Sequence, residues 1–241
     1  MRITLLVRLC LTIVNKKVNN MGHAQHYEEE ILAKYLGDVV NGTYVDIGAG
    51  HASDISNTYG LYLKGWTGLT IDPKRFHVYP ATFVPSNPVQ DKVKHGEPLS
   101  ASHKKMRPND IHLTIAVTNY DGEVDMCDSA TTGSWLGDDY TAEGSPVIKK
   151  YGINKVKCLT INTLISKYPQ FANPDFLSLD VETNEAKVLE CCDFEKFTPT
   201  LMIIENEVRG IDLRANWIHF IDPYYDLVET IPGNLVFLRK K

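Results

Sequence analysis

Apolar runs of this 241-residue sequence end in, or one residue short of, a carboxylate. "TYVDIG" carries Asp46 into the turn Gly48, Ala49, Gly50; "GLTID" ends in Asp72, "DFLSLD" in Asp180, and "LMIIE" in Glu205, with Glu182 two residues beyond Asp180. Carboxylates placed this way can take a proton from a hydroxyl, bond an ammonium or a diol, or jointly hold Mg²⁺ or Mn²⁺. A glycine turn between a strand and a helix admits close backbone approach of a ligand at the positive helix end. The dinucleotide pattern G-x-G-x-x-G is incomplete, because Ser53 stands at its third glycine. D-x-G-x-G with a second acid closing the next strand instead suits S-adenosylmethionine, whose ammonium wants a carboxylate and whose ribose diol wants an acceptor pair. Each acid also has an ordinary reading: a strand-end Asp is commonly a helix cap or turn former, and "DVETNE" reads equally as a helix start capped by Thr183.

The elements that must position these groups alternate along the chain. "HYEEEILAKYLG" has helical spacing at Ile31, Leu32, Tyr35 and Leu36 and ends in Gly37; "SNTYGLYLKGW" predicts a second helix ending at Gly65. Strands are predicted at "TYVDIG", "TGLTID", "HLTIAVT", "KVKCLTI", "DFLSLD" and "LMIIENE", giving a mainly parallel sheet with helices on both faces. Near the end, two β-rich runs flank Pro232, Gly233 and Asn234, the pattern of an antiparallel hairpin. Residues 24–241 therefore read as one α/β domain. It is interrupted at 73–110 by an excursion with too many prolines for one helix. Residues 1–23 read as a helical extension; Arg8 interrupts their apolar run, which is too short to span a bilayer and lacks a small-residue cleavage site.

Composition narrows the function classes. A formal charge of -5 gives no domain-wide basic field for nucleic acid, and Lys92, Lys94, Lys104, Lys105 and Arg107 read as a solvated face. Five cysteines without a C-x-x-C pair argue against zinc and suit a reducing, cytoplasmic compartment. His51, His77, His95, His103 and His112 are the other base candidates, but with no partner visible in the sequence they read as solvated or locally hydrogen-bonded loop residues. Trp135, between Gly133 and Gly137, either stacks on a sugar face or plugs the domain edge.

The sequence resembles the FkbM family of S-adenosylmethionine-dependent methyltransferases through "VDIGAG", "SNTY", "KGWTGLTIDP", "IAVTNYDGEV", "FLSLDVETNEAKVLECCDFEKFTP" and "LMIIENE", in that order. The resemblance implies a class I, Rossmann-like methyltransferase with a seven-stranded sheet. Asp46, Gly48, Ala49, Gly50 and Asn57 would lie around the methionine part of the cofactor, Asp72 on the ribose, and Ile115 and Ala116 by the adenine. It also places the strands of Asp180 and Glu205 side by side, so that Asp180, Glu205 and Glu182 become the candidate base and, by analogy with sugar methyltransferases, a candidate set of ligands for Mg²⁺ or Mn²⁺. The implied acceptor is a sugar hydroxyl on a nucleotide sugar or glycan. A non-sugar small molecule, a peptide, or a non-catalytic binding module are the alternatives. Thr183 and Asn184 depart from the family, which has a glycine after "DVE".

Overall fold

The computed structural model describes residues 23–74, 98–127, 135–136, 153–208 and 210–241. Helix α1 (Glu28–Leu36) leads to β1 (Thr43–Ile47), and α2 (Tyr59–Leu63) to β2 (Thr67–Ile71). Helix α3 (Leu99–Met106) follows, then β3 (Ile111–Leu113). After a second group of strands come α4 (Ile161–Lys167), β8 (Phe176–Leu179), α5 (Glu185–Glu190), β9 (Leu201–Glu205), the short pair β10 (Glu207–Val208) and β11 (Ile211–Asp212), α6 (Ile218–Ile221), β12 (Tyr225–Ile231) and β13 (Asn234–Arg239).

The main sheet has seven strands in the order β12-β13-β9-β8-β1-β2-β3. Strands β3, β2, β1, β8 and β9 run parallel, while β13 is antiparallel to both β9 and β12, which realises the C-terminal hairpin and the doubly wound α/β fold. Alternation along each strand sorts the core into two layers, because successive side chains point to opposite faces. Tyr44, Phe176, Leu201, Ile203 and Val236 pack against Ile31, Leu32 and Leu36 of α1 and Leu61 of α2. Val45, Ile47, Leu177, Leu179, Met202 and Ile204 pack on the other face with Leu164 of α4, Val188 and Leu189 of α5, and Ile221 of α6.

Two sequence-predicted strands end up elsewhere. "HLTIAVT" is split: Ile111–Leu113 stays in the main sheet, whereas β4 (Ala116–Val117) joins a separate four-stranded sheet with β5 (Gly122–Cys127), β6 (Trp135–Leu136) and β7 (Asn154–Leu159). "KVKCLTI" is that β7. Its exposed Lys155 and Lys157 alternate with buried Val156 and Cys158, the pattern of a strand with one wet face rather than one buried on both sides. Gly37 follows α1 but keeps a right-handed φ of -60° and is not the left-handed cap that its position predicts.

The described end of the proline-rich stretch, from Pro98, is helical. Pro98 precedes the first turn of α3, where a missing N–H costs nothing, and Pro108 follows its last residues. No helix among the described residues is long and apolar enough to cross a membrane. The expectations for residues 1–22, His77, His95, Lys92, Lys94 and the Trp135 side chain lie outside the described residues.

Candidate active site

Parallel neighbours end on the same edge of a sheet, and the pairings Ile47↔Ile71, Ile47↔Leu179 and Leu179↔Ile204 bring β2, β1, β8 and β9 to that edge in register. Asp72, Gly48, Asp180 and Glu205 therefore stand in a row along the carboxyl ends of four adjacent strands, where open α/β sheets bind ligands. The turn after β1 is fixed from both sides. Gly48 and Ala49 donate their N–H groups to the Ile71 carbonyl at 2.8 and 3.1 Å, and Asp180 N–H donates to the Ile47 carbonyl at 2.9 Å. Gly48 has a φ of +88°, and a Cβ there would sit 1.6 Å from the Asp180 carbonyl oxygen, so only glycine fits. Gly50 donates its N–H to Asp72 Oδ2 at 2.8 Å, and Lys74 N–H donates to Oδ1 at 2.7 Å. Asp72 thus ties the turn to the end of β2.

On the other side of Gly48 the acids crowd together. One carboxylate oxygen each from Asp180, Glu185 and Glu205 lies within 4.8 Å of the others. Burial raises the pKa of Asp180, and burial plus the charges of Asp180 and Glu185 raises that of Glu205. Glu185 is fully buried and pushed up to about 7 by its desolvation, although the Val181 N–H donates to its Oε1 at 2.9 Å. Glu205 Oε2 is buried without a hydrogen-bond partner. Three carboxyls this close cannot all be ionised unless a cation joins them.

Glu185 was absent from the sequence-predicted set, and Glu182 was in it. The signal existed, since Glu185 is the last acid of "LDVETNE", but a first-turn glutamate is ordinarily explained by the helix dipole. Glu182 lies outside the three-acid group, in a turn where it and Thr183 both have left-handed backbones, φ 54° and 82°. Thr183 is not the cap of α5. Asn184 holds the cap position, without a side-chain cap bond, and Thr183 occupies the left-handed site where the family has glycine. A β-branched residue there is strained by about 1–2 kcal/mol. Thr183→Gly is expected to stabilise the protein by roughly 1 kcal/mol, a rise of about 2–4 °C in Tm by calorimetry; an unchanged or lower Tm would show that the turn is held by contacts of the Thr183 side chain.

The remaining expected residues divide. Asp46 is buried on the α1 face, its Oδ2 accepting the Thr58 hydroxyl at 2.5 Å, and burial raises its pKa to about 6 against the pull of that bond and of Arg107. Asn57 Nδ2 donates to Ser178 Oγ of β8 at 3.1 Å, so the segment after the turn is anchored to the middle of the sheet. Ile115 packs against the main core, while Ala116 is fully enclosed with Val124, Met126, Val156 and Cys158 and presents no surface to a ligand. His51 Nδ1 accepts the N–H groups of Ser53 and Asp54 at 3.3 and 3.2 Å, which makes it a local turn cap.

Arg107, read from the sequence as part of a solvated face, is buried, and so is the hydrogen-bonded His103. His103 and Arg107 are each 1% exposed. Arg107 donates to Thr58 Oγ1 at 2.9 Å and Ser56 Oγ at 2.7 Å and pairs with Asp110 at 3.6 Å, so it is not part of a basic surface. Nothing in the proline-rich context marked these two as inward-facing.

The family model for the Methyltransferase FkbM domain matches residues 46–223, from the first strand-end acid to beyond the last. No curated relative matches the chain. With that match over most of its length, the chain belongs to the FkbM methyltransferase family.

Proposed function

We propose that the protein is an S-adenosylmethionine-dependent O-methyltransferase acting on a sugar hydroxyl, of a nucleotide sugar or a glycan end. The row Asp72, Gly48, Asp180, Glu205 supports this reading: a diol acceptor, a close-approach turn and a proton acceptor stand in the order in which the ribose, the sulfonium and the acceptor hydroxyl would lie. Asp72 would accept the ribose hydroxyls. The glycine turn would face the methionine part, with Asp46 supporting it from below through Thr58 rather than touching the ligand. The acceptor O–H would lose its proton to Asp180 as its oxygen attacks the methyl carbon in line and the C–S bond breaks, leaving neutral S-adenosylhomocysteine. Raised basicity suits Asp180 to that transfer, and Glu205 would stabilise it by the shared hydrogen bond.

Asp180, Glu185 and Glu205 also suit a hard divalent cation such as Mg²⁺ or Mn²⁺ in donor type and spacing. Such an ion would lower the acceptor hydroxyl pKa and fix its oxygen. Glu182, expected among these ligands, is replaced by Glu185.

Calorimetric titration with S-adenosylmethionine, followed by turnover on nucleotide sugars, oligosaccharides, peptides and small alcohols, tests the reading. Turnover confined to peptides or non-sugar alcohols would replace the acceptor class, and cofactor binding with no turnover on any would leave a binding module. Asp72→Asn is expected to weaken S-adenosylmethionine binding by about 1.5–3 kcal/mol in a folded protein. Unchanged affinity would remove Asp72 from the ribose site.

A further inference from the structure

The cofactor turn and the segment after it are both held by one short helix that the strand-end chemistry does not involve. Gly50 has a φ of +55°, and nothing lies within 4 Å of the place a Cβ would take, so side-chain packing does not hold it. Hydrogen bonds do: Asp72 receives its N–H, and His103 Nε2 lies 3.0 Å from its carbonyl oxygen. A carbonyl only accepts, so Nε2 carries the proton and Nδ1 of a neutral ring is a bare acceptor. The Thr70 hydroxyl, 3.3 Å from that Nδ1, is then the donor to it, and Thr70 Oγ1 accepts from His112 Nδ1 at 3.0 Å. The two rings stack with centroids 3.9 Å apart. Burial lowers the pKa of His103 to about 3 and of His112 to about 4, so both stay neutral and the chain of donors keeps one direction, ending on the turn.

One helical turn later, Arg107 grips the residues on either side of Asn57. Its two terminal nitrogens donate to Ser56 and Thr58 hydroxyls, its guanidinium lies 5.3 Å from the Tyr59 ring centroid, and Thr58 passes the interaction to Asp46. Ser56 Oγ also accepts the N–H groups of Thr58 and Tyr59. A buried guanidinium is a costly way to fill space, and an aliphatic side chain would do so with less desolvation. What it supplies is geometry: fixed directions for several hydroxyls at once.

We infer that His103 of α3 and Arg107, four residues on at the helix's C-cap, are positioning residues for the cofactor, holding residues 48–50 and 56–58 in the shape that S-adenosylmethionine binds. The inference rests on the reading of the cleft given above. It makes the helix at the end of the proline-rich excursion a working part of the methyl-donor site, although none of its atoms touches the reacting groups.

The test uses the full chain and measures S-adenosylmethionine affinity by calorimetry, kcat and KM for both substrates, and Tm. His103→Ala is expected to raise the Kd and KM for S-adenosylmethionine about ten-fold or more, with kcat at saturating cofactor and the acceptor KM within about two-fold of wild type. His103→Gln, whose amide can still donate to the Gly50 carbonyl, is expected to regain most of that affinity. Arg107→Lys is expected to act like His103→Ala, because a single ammonium on a flexible stem cannot reproduce the fork. If Arg107→Lys does not fold, Ser56→Ala removes one partner of the fork and carries the same expectation. Variants that lose Tm but keep wild-type Kd and KM for S-adenosylmethionine would overturn the inference and leave α3 as scaffold. Wild-type protein that binds no S-adenosylmethionine would overturn the cofactor reading itself, and this inference with it.

Discussion

Asp180→Asn is expected to bind S-adenosylmethionine within a few-fold of wild type and to lose turnover by roughly 10²-fold or more. The substitution keeps the size of the side chain and a carbonyl oxygen, but it removes the basic oxygen at the point where the acceptor proton must leave. It also removes the like charge that, after burial, does most to raise the Glu205 pKa. Glu205 would then titrate lower, so residual activity in Asp180→Asn should rise toward higher pH as Glu205 ionises and takes over as the weaker base. Treatment with EDTA separates the two roles of the cluster. Wild-type activity abolished by the chelator and restored by Mg²⁺ or Mn²⁺ assigns Asp180 as a ligand, whereas indifference assigns it as the direct base. Near wild-type turnover of Asp180→Asn would take Asp180 out of the mechanism and leave Glu205 as the candidate.

Gly48→Ala is expected to cost more than about 4 kcal/mol and to leave little folded protein in chemical denaturation. Two penalties coincide there: a left-handed φ of +88°, and a Cβ built 1.6 Å from the Asp180 carbonyl oxygen, which is backbone and cannot swing aside. Gly50→Ala is the internal control. Its φ of +55° is also left-handed, but a Cβ there meets open space, so the cost is that of the backbone conformation alone, about 1–2 kcal/mol. Equal destabilisation by the two alanines would mean that β1 and β8 can part at Gly48.

The strand-end acids were legible because short apolar runs buried on both faces show where a strand ends, and a carboxylate directly after one has few ways to avoid the sheet edge. Asp180 and Glu205 became a pair once β8 and β9 were parallel neighbours in register. The hairpin at Gly233, with a φ of +76°, was equally plain from its turn residues. What resisted reading was tertiary. Thr183 is a poor residue for its backbone and predicted a cap instead of a left-handed turn. "HLTIAVT" reads as one unbroken β-rich run and carries no mark of the break after Leu113 that sends Ala116 into a second sheet. His103 stands in, and Arg107 caps, a helix whose polar majority, with Lys104 and Lys105 exposed between them, looks solvated along its whole length. Their burial depends on the hydroxyls of Ser56, Thr58 and Thr70, which no local pattern could bring to them.

The pairing of β1 with β8 has a consequence for the order in which this site can come into being. Thr43 of β1 bonds to Asp175 across a separation of 132 residues, and the contact of Gly48 with Asp180 closes the same loop. Closing a chain loop of that length costs roughly 4 kcal/mol of entropy before any of its contacts form. The floor of the cleft is therefore the product of long-range zippering, slow compared with the helices beside it. A fragment ending before residue 180 would own the glycine turn in sequence but have nothing to set it against. On the proposed reading of the cleft, affinity for the methyl donor would be a property that the growing polypeptide gains only once the strand carrying Asp180 has docked beside the first.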